Sequence, residues 1–164
     1  MKELIIIRHA KSKDAMYGAS TIMSDFAREL HEKGVHDAKE MANKIAKKVG
    51  SVDLLIASSA IRTVSTAKVF ADEFQIDPAK IQPEPSLYNS SSATYYTVLS
   101  QVNDSVDTVI IFGHNPGITH FVQSLDVAAI DAMPTCGVFA VKLHTGHWKE
   151  INDCKKDFWF FKAP

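Results

Sequence analysis

Three short, unbroken apolar runs constrain this chain more than any other feature. Leu4 to Ile7 stops at Arg8-His9, the run in "VDLLIAS" stops at Ser58-Ser59, and the run in "DTVIIFG" stops at Gly113-His114. None alternates polar with apolar residues. A strand without alternation is buried on both faces, as strands are in a parallel sheet covered by helices. Each run also ends by delivering polar residues, and in open α/β sheets ligands bind beyond the carboxyl ends of the strands.

The segments between the runs carry helical spacing. Val35, Ala38, Met41, Ala42, Ile45, Ala46 and Val49 mark a helix that Gly50 closes. Val64, Ala67, Ala71 and Phe74 mark a second, and Tyr95, Val98, Leu99 and Val102 a third. Ile118, Phe121, Val122 and Leu125 give a fourth, with Asn115 expected as its N-cap and Pro116 as its first residue. Residues 8–33 are polar and irregular, and a short strand is expected near Ile81 to Glu84. "GVFAVKLH" and "HWKEIN" flank Thr145-Gly146 and suggest an antiparallel hairpin. The aromatic end "DFWFF" is expected to tie down the C-terminus by packing. Together these predict a single α/β domain over residues 1–164, a three-layer sandwich around a mostly parallel sheet.

Composition narrows the function. Lys plus Arg number 18 and Asp plus Glu 19, a formal charge of −1, so no global basic excess points to nucleic acid. No apolar run is long enough to cross a bilayer, and four apolar residues before Arg8 are too few for a signal-peptide core. A cytoplasmic location is expected. Cys136 and Cys154 form no CxxC pair, which suits free thiols in a reducing compartment. "GHNPG" lacks the GxxxxGK[ST] pattern of a nucleotide loop.

Arg8, His9, Arg62 and His114 lie at three predicted strand ends. Guanidinium forks match the oxygens of a phosphoryl group with paired hydrogen bonds. A neutral imidazole is a competent nucleophile toward phosphorus. A second imidazole, if protonated, donates to an equatorial oxygen as charge shifts. Fixed cations of this kind take the place of a metal, and the remaining histidines lack the partners a zinc site uses. Neither a metal nor an organic cofactor is expected.

"LIIIRHAKS", "LLIASSAIRTVSTA" and "VIIFGHNPG" resemble, in order and spacing, the signature segments of the histidine phosphatase superfamily. "SDFARELHEKG", "SLYNSS" and "MPTCGVFAVKL" are similar to segments of its short branch, the SixA-type phosphohistidine phosphatases. The resemblance implies a phosphoglycerate mutase-like fold. It implies that His9 is the phosphorylated nucleophile and that Arg8, Arg62 and His114 complete the phosphate pocket, with Lys11, Ser12 and Asn115 at its rim.

One departure bears on the substrate. Mutase-like members carry a glutamate general acid in the segment that here reads "SLYNSS", where this chain has Tyr88. General acid catalysis is worth roughly 10²–10⁴-fold, so its loss penalises alkoxide leaving groups. An imidazole carrying a second proton needs less help. Asp14 and Asp25, in the long loop after His9, are alternative donors. Little chain follows the Arg62 helix to build a cap, and an open pocket suits a side chain presented by another protein. The expected substrate is therefore a phosphohistidine on a protein. The alternatives are a phosphatase of small sugar or nucleotide phosphoesters and a non-catalytic phosphate-binding module.

Overall fold

A computed structural model of the chain describes residues 1–14 and 24–164. Its centre is a six-stranded mixed sheet: β1 (Lys2–Arg8), β2 (Leu54–Ala57), β3 (Gln82–Pro83), β4 (Thr108–Gly113), β5 (Val138–Leu143) and β6 (Lys156–Lys162), in the spatial order β3-β2-β4-β1-β5-β6. β1, β2, β3 and β4 run parallel; β5 adds antiparallel to β1, and β6 antiparallel to β5. The helices are α1 (Glu32–Val49), α2 (Ile61–Glu73), α3 (Ser92–Ser100) and α4 (Gly117–Ser124). None of the described helices is long and apolar enough to cross a membrane.

The unbroken apolar runs are buried on both sides because successive side chains of a strand point to opposite faces. Leu4, Ile6, Val109 and Ile111 join Tyr95, Leu99, Ile118, Phe121 and Val122 of α3 and α4 in one core. Ile5, Ile7, Ile110 and Phe112 join Ala38, Met41, Ile45, Ala67 and Phe70 of α1 and α2 in the other. Each such side chain contributes about 1.5–3 kcal/mol when fully buried. The outcome is the expected α/β three-layer sandwich.

α1 starts where the chain leaves the β1 loop. His31 caps it, its Nδ1 accepting from the Lys33 amide, and its own amide donates to the Lys11 carbonyl. Gly34 lies so close to that carbonyl that a Cβ would sit 2.0 Å from the oxygen. Gly50 closes the helix at φ 81°, as expected.

Two local expectations are corrected. The partner of β5 is β6, drawn from the aromatic end, and not "HWKEIN". That segment forms a 3₁₀ turn, Trp148–Glu150, because Trp148 is fully buried with its indole N–H donating to the Val106 carbonyl at 2.7 Å. Asn115 is not the cap of α4, which begins at Gly117. Its side-chain oxygen instead accepts from Thr119 Oγ1 at 2.6 Å, and its amide donates to the Met133 carbonyl at 3.0 Å. Of the stretch 8–33 expected to be irregular, residues 15–23 lie outside the described residues; Asp25–Ala27 is a 3₁₀ turn and α1 already begins at Glu32.

Candidate active site

The site forms where β1, β4 and α2 converge. β1 and β4 are neighbours in parallel register, with Arg8 opposite Gly113, so the residues that follow, His9 and His114, leave the sheet side by side. Their rings lie 5.2 Å apart. The His9 amide donates to the Gly113 carbonyl at 3.1 Å. α2 starts just beyond β2 and carries Arg62 in its first turn.

His9 is almost fully buried. Its Nδ1 lies 2.8 Å from the Ala10 carbonyl, which only accepts, so Nδ1 carries the hydrogen. Nε2 is left with its lone pair, and Arg62 Nε points at it from 3.4 Å. Burial, joined by the charges of Arg62, Arg8 and Arg28, lowers the His9 pKa to about 4 against the opposing pull of the Ala10 bond. The ring is neutral near pH 7.

His114 Nε2 lies 2.7 Å from Ser58 Oγ and 3.1 Å from Thr63 Oγ1. Burial first, then the neighbouring His9 and Arg62, lowers its pKa to about 3. It is therefore a neutral imidazole in the free site; the protonated form requires a bound anion to supply the opposite charge. Arg8 donates from Nη1 to the Met133 carbonyl at 3.0 Å. Burial, then Arg62, presses its pKa below the ordinary arginine value.

Arg62 is held from its far end. Its Nη1 donates to the Asp25 carbonyl at 2.7 Å and its Nη2 to Asp25 Oδ2 at 3.0 Å. The same Oδ2 accepts from Tyr88 Oη at 2.6 Å, and Oδ1 accepts from Arg28 Nη1 at 2.9 Å. The Tyr88 bond first, then Arg28 and Arg62, lowers the Asp25 pKa to about 2.

Arg8, His9, Lys11, Ser12, Arg62, His114 and Asn115 all line one cavity of about 550 Å³, joined by Asp14, Asp25, Arg28, Asn89 and Thr135. All seven residues picked from the sequence thus come together. Four cationic side chains face two carboxylates, so a nearly neutral chain focuses positive charge in one place. Lys11 is exposed, while Ser12 Oγ accepts from Arg28 Nη2 at 2.7 Å. Among the described residues, no three His, Cys, Asp or Glu side chains converge as a metal-binding group.

Residues 4–91 match the family pattern described as the histidine phosphatase superfamily (branch 1). The chain belongs to the histidine phosphatase superfamily. Its fold is that of several solved relatives. A SixA phosphohistidine phosphatase candidate from Agrobacterium tumefaciens superposes with a TM-score of 0.80 at 24% identity, covering 99% of both chains. The protein histidine phosphatase SixA complexed with tungstate gives 0.79 at 19% identity, over 98% of this chain and 96% of that one. A mycobacterial glucosyl-3-phosphoglycerate phosphatase complexed with VO3 gives 0.69 at 14% identity over the whole of both chains.

In this superfamily member the supporting polar residues escaped sequence reasoning. Thr63 and Thr66 follow Arg62 on α2; Thr66 Oγ1 accepts from the Ala10 amide at 3.0 Å and donates to the Arg62 carbonyl at 2.8 Å. Their closeness to Arg62 at helical spacing was the available signal. Met133 acts through its backbone carbonyl, which no sequence motif reveals. Glu84 accepts from Ser86 and does not line the cavity.

Proposed function

We propose that this chain is a phosphatase that works through a phosphorylated His9 and acts on phosphohistidine carried by a protein. One observation carries the reading: His9 is neutral, its Nδ1 hydrogen is committed to Ala10, and its Nε2 lone pair faces the Arg62 guanidinium. That is the arrangement of a nucleophile aimed at an arginine-bound anion.

In the first step the phosphoryl oxygens lie between Arg8, Arg62 and His114. His9 Nε2 attacks phosphorus in line, and the bond to the leaving imidazole nitrogen breaks. The leaving ring departs as a neutral imidazole because its other nitrogen already holds a proton. In the second step water attacks phospho-His9, the P–N bond breaks, and inorganic phosphate leaves with His9 restored. Positioning and charge stabilisation supply the rate, as in other phosphoryl transfers. Exposed Lys11, Asp14 and Asn89 around the cavity support an open mouth that admits a protein side chain. The likeness to SixA structures supports the same reading.

A second reading, hydrolysis of small phosphoesters, draws support from Asp14. This exposed carboxylate lines the cavity, and in that reading it carries the proton to the alkoxide. The test is an activity panel of phosphohistidine proteins, sugar phosphates and nucleotides, with and without chelator. Fastest turnover of phosphohistidine, lost in His9→Ala together with radiolabel trapped on the protein, is the expected result. Full turnover by His9→Ala rejects the mechanism, and a chelator-sensitive rate rejects a metal-free site. Preference for phosphoesters moves the assignment to the second reading.

A further inference from the structure

Asp25 is a cavity carboxylate in direct contact with Arg62, and its contacts say what it does. Its side chain meets three donors: Arg62 Nη2, Arg28 Nη1 and Tyr88 Oη. Its backbone carbonyl takes Arg62 Nη1 as well. One residue thereby grips both terminal nitrogens of Arg62 and leaves Nε directed at His9. Arginine has long rotamer freedom, and a guanidinium that is not held samples many orientations. Tyr88 holds the clamp from behind, packing edge-on against Phe26 at 5.4 Å and His114 at 5.6 Å.

We infer that Asp25 is a positioning residue that fixes the Arg62 fork over the nucleophile, with Tyr88 fixing Asp25, and that it is not the proton donor to the leaving group. The inference rests on the phosphatase reading above. A carboxylate that accepts from two guanidinium groups and a phenol has no proton to give; protonating it breaks those contacts. Tyr88, standing where mutase-like relatives carry an acid, thus serves the arginine clamp.

The experiment compares Asp25→Asn, Asp25→Glu and Tyr88→Phe with the native chain on aryl phosphates of graded leaving-group basicity and on phosphohistidine, together with inorganic phosphate binding. The expected result is a fall in kcat/KM, which reports the step in which the leaving group departs, for Asp25→Asn, on the order of 10²-fold, by the same factor for every leaving group. Asp25→Glu recovers part of the loss, Tyr88→Phe shows a smaller uniform loss, and phosphate binding does not tighten. A loss that grows with leaving-group basicity marks Asp25 as a general acid and overturns the inference. Unchanged or raised kcat with tighter phosphate marks an inhibitory latch and overturns it too. If Asp25→Asn does not fold, Tyr88→Phe and Asp25→Glu decide by the same slopes. A native chain inactive on every substrate rejects the phosphatase reading itself, a different outcome from any change among the variants.

Discussion

Arg62 Nε lies 3.4 Å from His9 Nε2, so a permanent cation faces the lone pair of a buried imidazole. Burial first, and that cation after it, explain why His9 resists protonation. Its pKa of about 4 keeps the proposed nucleophile neutral well below pH 7. On a substrate whose own ionisation is constant, kcat/KM is expected to show no acid limb from His9 until pH approaches 4. A limb near the ordinary histidine value of 6.5 contradicts the assignment.

The same shift governs stability. The unfolded chain protonates His9 and His114 near pH 6.5, while the folded chain holds them neutral down to about 4 and about 3. Protons therefore bind the unfolded state first, and stability falls as pH drops from 6.5 toward those values. Urea midpoints measured at pH 7.5 and 5 are expected to differ, with the lower midpoint at pH 5. His114→Gln is expected to shrink that difference.

Arg62→Lys keeps the charge and removes the fork. A lysine cannot hold Asp25 through two nitrogens while directing a third at His9. Its kcat/KM is expected to fall on the order of 10²-fold, measured on the favoured phosphorylated substrate, with thermal unfolding showing a folded protein. Near-native turnover would contradict a bidentate role.

Thr119 closes a small polar ring beside Arg8. Its hydroxyl donates to Asn115 Oδ1 and accepts from the buried Met133 amide at 2.9 Å, and the Met133 carbonyl receives both Asn115 and Arg8. Thr119→Val leaves that amide without a partner at a cost of about 1–3 kcal/mol. Urea unfolding measures the cost, and loosening of Arg8 is expected to lower kcat/KM alongside it. Thr119→Ser is expected to restore most of both.

Gly34 tests how tightly α1 docks on the loop after His9. Gly34→Ala places a methyl group on the Lys11 carbonyl, which is backbone and cannot swing aside. The overpacking is expected to cost about 1–3 kcal/mol in denaturant unfolding, despite alanine's better helix propensity. A more stable variant would show that the docking is looser than described.

The strand-end residues were legible because their geometry is local. A run such as Leu4–Ile7 announces a buried strand, and Arg8 and His9 come next in the chain. The clamp on Arg62 was not legible, since Asp25 lies 37 residues from Arg62 and 63 from Tyr88. A contact at that range is set by the tertiary fold; the sequence offered Asp25 as an alternative proton donor. β6 was missed for another reason. Its register against β5 shifts between Ala140 and Val141, so Phe160 and Phe158 pair while Trp159 is left over. That bulge breaks the period of two by which a strand is recognised, and the four consecutive aromatics after Asp157 then read as mere packing. Asn115 misled because its short polar side chain suits a helix cap as well as the Met133–Thr119 ring.

Because His9 and His114 follow neighbouring strands in fixed register, the gap between the two imidazoles is inherited from the hydrogen-bond ladder itself. A slip of one residue would alter that gap only by also sending every side chain of β1 to the wrong layer. Drift among descendants of this chain is thus expected to spare the paired rings and to retune selectivity through the surrounding loops, where Lys11, Asp14, Asn89 and Thr135 sit free of the ladder.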